Sequence, residues 1–167
     1  MKELNYLKKI LKDHELTFQE IIQMLEWSPK KRKLYKQILS SWEDEGEIYL
    51  KRNGKYTLPE NAGLIRGEIS ISGGNFGFLD VVGESSIFIS GHYLNTAMNG
   101  DTVLVRILKN NTNSNKSREG EVYKIVRRAR DVIVGVFEHN LSFGFVRPKN
   151  SVKDIYIPKK KIKGAKT

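Results

Sequence analysis

The sequence predicts a mixed α and β chain built from several small modules, and three observations carry that prediction. Apolar residues recur at helical spacing up to Gly46, short β-patterned runs replace them after residue 60, and the β pattern begins again about 68 residues further on. The expected divisions are 1–60, 61–130 and 131–167, within a chain of 167 residues whose 39% hydrophobic content suits small buried cores.

The first module opens with an amphipathic helix over residues 1–13, with Leu4, Leu7, Ile10 and Leu11 on one side. A second helix starts at Thr17, which forms a capping-box pattern with Glu20, and carries Phe18, Ile21, Ile22 and Leu25 on its apolar face. A third is expected from Ser28-Pro29, with Leu34, Ile38 and Trp42 facing the core and Gly46 ending it. Two β-patterned runs, 48–50 and 55–58, then flank Asn53-Gly54, a strong hairpin signal. Three helices and a hairpin in this order resemble a winged helix-turn-helix domain. The third helix would then be the recognition helix, offering Lys33, Lys36 and Gln37 to nucleic acid. Lys51, Arg52 and Lys55 would arm the wing.

Pro59 to Gly63 reads as a linker. Five strand-like runs follow at 64–71, 76–81, 87–89, 103–108 and 121–126, separated by Gly73-Gly74-Asn75, Gly83, Asn99-Gly100-Asp101 and the polar tract 110–117. Five short strands in some sixty residues suit a small barrel such as the OB-fold. The pattern then restarts: Gly135 answers Gly67, Phe143-Gly144-Phe145-Val146 answers Phe76-Gly77-Phe78-Leu79, and Ile155-Tyr156-Ile157 answers Ile87-Phe88-Ile89. The second copy stops where its last two strands are expected, so the second barrel is predicted to be truncated, with strands one to three only, and the sequence reads as a piece of a longer chain.

The two Phe-Gly-Phe strands are the candidate site. Side chains alternate along a strand, so Phe76 and Phe78 share a face with Asp80, and Phe143 and Phe145 share one with Arg147. A buried face does not ordinarily carry Asp or Arg beside its rings, so these aromatics are expected to face solvent. Exposed ring faces stack unpaired nucleobases. With Phe88 and Tyr156 from the neighbouring strands they make six candidate stacking residues. The phosphates would fall to Arg147, Lys149, Lys153, Lys159, Lys160, Lys161 and Lys163.

Charge supports an anionic partner. The chain carries a net charge of +10, and residues 135–167 hold 8 basic against 2 acidic side chains. There is no cysteine, which excludes disulfides and thiolate metal sites. No signal-peptide pattern and no apolar run of membrane-spanning length is present, so a cytoplasmic protein without a membrane partner is expected. His14, His92 and His139 stand apart from any carboxylate cluster, and no phosphate-cradling glycine loop or nucleophile motif appears. No catalytic residue and no metal ligand is assigned.

The Phe-Gly-Phe strand followed by Ile87-Phe88-Ile89, or by Ile155-Tyr156-Ile157-Pro158, resembles the two RNA-binding motifs of cold-shock domains. A winged helix followed by two such domains is similar to the N-terminal region of the ribonuclease R branch of the RNase II/R family of 3′→5′ exoribonucleases. Gly100-Asp101-Thr102-Val103, Arg118-Glu119-Gly120-Glu121-Val122 and Val134-Gly135-Val136-Phe137 fit the same resemblance, which covers essentially the whole chain. The usual histidine after the second motif is replaced by Ser90 and Pro158, and the usual lysine before the first motif is missing. Phe137 occupies the first-strand aromatic position in the second copy, whereas the first copy has none there.

The resemblance implies single-stranded RNA, or structured RNA with a 3′ tail, as the partner, and a monomer as the working form. It allows the ribosome or duplex nucleic acid as the partner of the winged helix. It places catalysis in a separate domain whose clustered aspartates bind Mg2+. Two other readings stand beside it: a winged-helix DNA-binding transcriptional regulator, and a stand-alone cold-shock-type RNA chaperone.

Overall fold

The computed structural model describes residues 2–72, 75–81, 83–108, 118–148 and 154–166. The polar tract 110–117, expected as a loop, and the turn glycines Gly73 and Gly74 lie outside these residues.

The first unit is built from α1 (Lys2–Leu11), β1 (Leu16–Thr17), α2 (Phe18–Met24), α3 (Arg32–Asp44), β2 (Tyr49–Leu50) and β3 (Lys55–Thr57). Its strands pair antiparallel in the order β1-β3-β2. Leu7, Leu11, Ile21, Ile22, Leu39 and Ile48 are buried together, and Trp27 stacks on Tyr35 at a ring separation of 4.2 Å. The capping box forms as expected. The Glu20 amide donates to Thr17 Oγ1 at 3.3 Å, and the Thr17 amide donates to Glu20 Oε2 at 2.7 Å.

Three local expectations are corrected. The chain makes a 3-10 turn over Pro29–Lys31, so the α-helix begins only at Arg32. The buried side of α3 runs through Tyr35 and Leu39, with Ile38 and Trp42 half-buried beside them, while Leu34 is 48% exposed. Leu34 has helical spacing with Ile38, but sits on the edge of the stripe whose centre is Tyr35 and Leu39. The Pro59–Gly63 segment is not a free tether: Pro59 is buried, and the Asn61 side-chain amide donates to the carbonyls of Leu11 and Lys12 at 2.9 and 3.1 Å.

The second unit is a five-stranded sheet of the OB type. Its strands are β4 (Leu64–Ser72), β5 (Phe76–Leu79), β6 (Ile87–Ser90), β7 (Thr102–Ile107) and β8 (Gly120–Arg127), in the order β6-β5-β4-β7-β8. It curls until its edges meet, where Phe88 and Glu119 form a parallel bridge and the Phe88 amide donates to the Arg118 carbonyl at 2.8 Å. Inside lie Ile69, Leu79, Ile87, Ile89, Leu94, Val103, Val105 and Val122. Every strand boundary falls within two residues of its expected place.

The helical unit docks on this sheet. Lys124 pairs with Asp44 at 2.9 Å and Arg66 with Glu47 at 3.6 Å. Leu104, whose cross-strand partners are Arg66 and Lys124, is only 2% exposed although it belongs to neither core cluster.

Buried Asp101 fastens the chain that leaves β8. Its carboxylate accepts from the Met98 and Ala129 amides, both at 2.9 Å, and from Arg128 Nη1 at 2.8 Å. Beyond it, β9 (Gly135–Asn140), β10 (Phe143–Pro148) and β11 (Ile155–Pro158) form an antiparallel sheet in the order β11-β10-β9, followed by the single-turn helix α4 (Lys159–Ile162). Among the described residues of this sheet only Gly144 and Pro148 are buried. No helix among the described residues is long and apolar enough to cross a membrane.

Candidate nucleic-acid interface

The pleat sets the site. In the first sheet Phe78 lies opposite Phe88, with Phe76 opposite Ser90. In the second, Phe145 lies opposite Tyr156, with Phe143 opposite Pro158. Each set gathers three rings from two adjacent strands on one outer face. The centroids of Phe76, Phe78 and Phe88 are 5.7, 5.9 and 5.7 Å apart. Those of Phe143, Phe145 and Tyr156 are 5.4, 5.7 and 5.9 Å apart. The interplanar angles also correspond: 82°, 33° and 64° in the first trio against 77°, 40° and 65° in the second. Two stretches far apart in sequence therefore build the same triangle of tilted rings.

The rings face solvent. Phe76 is 36% exposed, Phe78 37% and Tyr156 56%, and the other three are half-buried by their neighbours. The glycine between each Phe pair is buried on the reverse side. A Cβ at Gly77 would stand 3.0 Å from the Ser70 carbonyl, and one at Gly144 would run into the Phe137 ring. Phe137 of β9 pairs with Val146, on the face opposite Phe143 and Phe145, and stacks with His139.

Electrostatics separate the two platforms. The first is followed by Asp80, which accepts from the Ser86 hydroxyl at 2.8 Å. The second carries Arg147 in the equivalent place. Its guanidinium is held by Glu138 at 3.2 Å and by Asp154 at 3.5 Å, so the predicted phosphate ligand already has two carboxylate partners. α4 presents Lys159, Lys160 and Lys161 to solvent, and Lys163 follows in a left-handed turn with φ of 49°. Lys149 and Lys153 lie outside the described residues.

The residues expected to serve the helical unit are only partly brought together. Lys33, Lys36 and Gln37 are exposed on α3. Lys36 Nζ stands 5.6 Å from the centre of the Phe18 ring, with Arg32 also over that ring at 5.2 Å. Gln37 lines an open cleft of about 420 Å³ that Val126 of β8 helps to wall. In the hairpin Lys51 is paired with Glu15 at 2.7 Å, which holds the Glu15 carboxyl below its usual range, while Arg52 and Lys55 are exposed. Residues not singled out from sequence are Tyr49, Arg106 and Tyr123, which meet where the two units dock. Strand alternation marks Arg106 and Tyr123 as outward-facing, but nothing local to either stretch brings Tyr49 to them. Among the described residues no three His, Asp or Glu side chains converge as metal ligands.

Residues 67–125 match the family model described as the ribonuclease B OB domain. Over 131 residues the chain is 30% identical to ribonuclease R of Escherichia coli, an alignment that takes in 77% of this chain and 16% of that protein. It is 27% identical to ribonuclease R of Aquifex aeolicus over 89% of its own length and 21% of that protein's. The chain thus spans about a fifth or less of the length of these two relatives. Among solved structures, yeast Ssd1, a pseudonuclease, superposes with a TM-score of 0.50 at 16% identity, covering 60% of this chain and 18% of that one. That likeness is one of fold.

Proposed function

Since the chain belongs to the ribonuclease R branch of the RNase II/R family, we propose that it is the RNA-binding region of a 3′→5′ exoribonuclease of that kind. It holds unpaired RNA on two aromatic platforms and passes a 3′ tail toward a catalytic domain that would carry its own magnesium ions. The three helices and hairpin act as a winged helix that meets the ribosome or duplex nucleic acid, and the two β units act as tandem cold-shock domains in the cytoplasm.

One observation carries the reading: the same three-ring triangle on the outer face of both sheets, backed each time by a buried glycine. None of the six rings belongs to either core cluster, and each stacked base contributes about 1–3 kcal/mol. The lysines of α4 supply charge beside the second platform. With about four phosphates neutralised, log K falls against log salt with a slope of roughly −3, at about 0.7 per single-strand phosphate.

A fluorescence-anisotropy titration with single-stranded RNA at moderate salt tests it. Phe143→Ala with Phe145→Ala should weaken binding more than Lys160→Ala with Lys161→Ala. Equal losses from the two pairs would mean that charge alone binds.

A further inference from the structure

The helical unit and the first barrel meet along a seam fixed by the Lys124–Asp44 and Arg66–Glu47 pairs. At its open edge Tyr49 from β2 and Tyr123 from β8 stand edge to face, with centroids 6.1 Å apart and an angle of 69°. Their hydroxyls are 3.5 Å apart. The Arg106 guanidinium from β7 lies over the Tyr123 ring at 4.6 Å and holds Glu121 at 3.1 Å. Neither hydrophobic core includes either tyrosine, and Tyr123 is 41% exposed. The Tyr123 hydroxyl and burial raise the Tyr49 phenol above the ordinary tyrosine value, while Arg106 and Arg52 pull it the other way.

We propose that this junction is a second RNA contact, in which Arg106 takes a phosphodiester and the Arg106–Tyr123 stack takes the adjoining base. A guanidinium held over a ring keeps its outer face for a base, and its N–H groups remain available for phosphate oxygens. The rings select single strands, because bases stacked within a duplex do not offer their faces. The site is composite: β2 supplies Tyr49, and the barrel supplies Arg106 and Tyr123. It lies on β7 and β8, different strands from those that carry the first platform's rings, so a strand that reaches both would have a longer footprint than a platform alone provides. Glu121 competes with the phosphate for Arg106.

This inference rests on RNA being the ligand, so the test reads the junction and the platforms side by side. Labelled oligouridine RNA is titrated against the full chain, against Arg106→Gln with Tyr123→Ala, and against Phe143→Ala with Phe145→Ala. The junction pair should lose about tenfold in affinity. Tyr123→Phe should bind like the original chain, and Glu121→Gln should bind about threefold more tightly at low salt by releasing Arg106. A junction pair that binds like the original chain overturns the proposal and leaves the platform reading in place. A loss confined to the junction pair, with the platform pair unaffected, supports the junction and removes the platforms. Should the junction pair fail to fold, Glu121→Gln decides, and no gain in affinity overturns the proposal.

Discussion

The Arg147 guanidinium is clasped between Glu138, 3.2 Å away on β9, and Asp154, 3.5 Å away beside β11, on the same sheet face as the Phe145 ring. All three side chains are 40% or more exposed, so each pair is worth well under the usual upper value of about 1 kcal/mol for a surface ion pair. A phosphate can displace such carboxylates, but must compete with them. Replacing both by Glu138→Gln and Asp154→Asn should raise affinity for single-stranded RNA several-fold at low salt. The salt slope should steepen by about 0.7, one further phosphate contact. Anisotropy titrations across a salt series check it, and an unchanged slope would mean that Arg147 does not reach the RNA.

Gly144 is a packing residue behind the second platform. Its missing Cβ leaves the room that the Phe137 ring occupies, with the Glu138 carbonyl 3.2 Å from where that Cβ would stand. Gly144→Ala should push Phe137 out, cost about 1–3 kcal/mol as overpacking does, and weaken the second platform. Gly77→Ala meets only 3.0–3.3 Å contacts and should cost less. Urea unfolding of the two variants compares them.

Asp101 is 1% exposed and satisfies two backbone amides and one guanidinium. Asp101→Ala leaves those donors without their acceptor. Hydrogen bonds to a charged group contribute about 1.5–3 kcal/mol, so a loss of about 3 kcal/mol is expected. Hydrogen exchange at the Ala129 amide should quicken with it, because that amide loses its acceptor. Protection of Ala129 that survives the substitution would show that the segment is held by other contacts.

The capping box at α2 should make this end of the helical unit sensitive to acid. The Thr17 amide, and then its hydroxyl, hold the Glu20 carboxyl below its ordinary value. A carboxyl depressed in the folded state stabilises fully above its unfolded value and loses that contribution as pH falls through the folded one. As the loss of an N-cap hydroxyl does, Thr17→Ala should cost about 1 kcal/mol near neutral pH, and the share of the gap that comes from the hydroxyl's bond to Glu20 should disappear below the glutamate range. Thermal melts followed by circular dichroism at neutral and acid pH measure the gap.

The strands and the outward direction of the six rings were legible in the sequence, because both follow from the two-residue period of a strand. Asp80 and Arg147 marked which face was wet. The second copy was legible because its glycines, rings and apolar residues repeat in the same order. Leu34 was misread because a helical stripe has edges that spacing alone does not locate.

What the sequence by itself determined is local: element types, their order, and which side of each strand its side chains take. Tertiary structure decided which charges are already engaged and which surfaces meet. Lys51 finds Glu15 across 36 positions, Lys124 finds Asp44 across 80, and Tyr49 finds Tyr123 across 74. Backbone geometry propagates from each residue to the next, so periodicity records it. An ion pair or a docked seam depends on how separate elements lie in space, and no spacing along the chain encodes that distance.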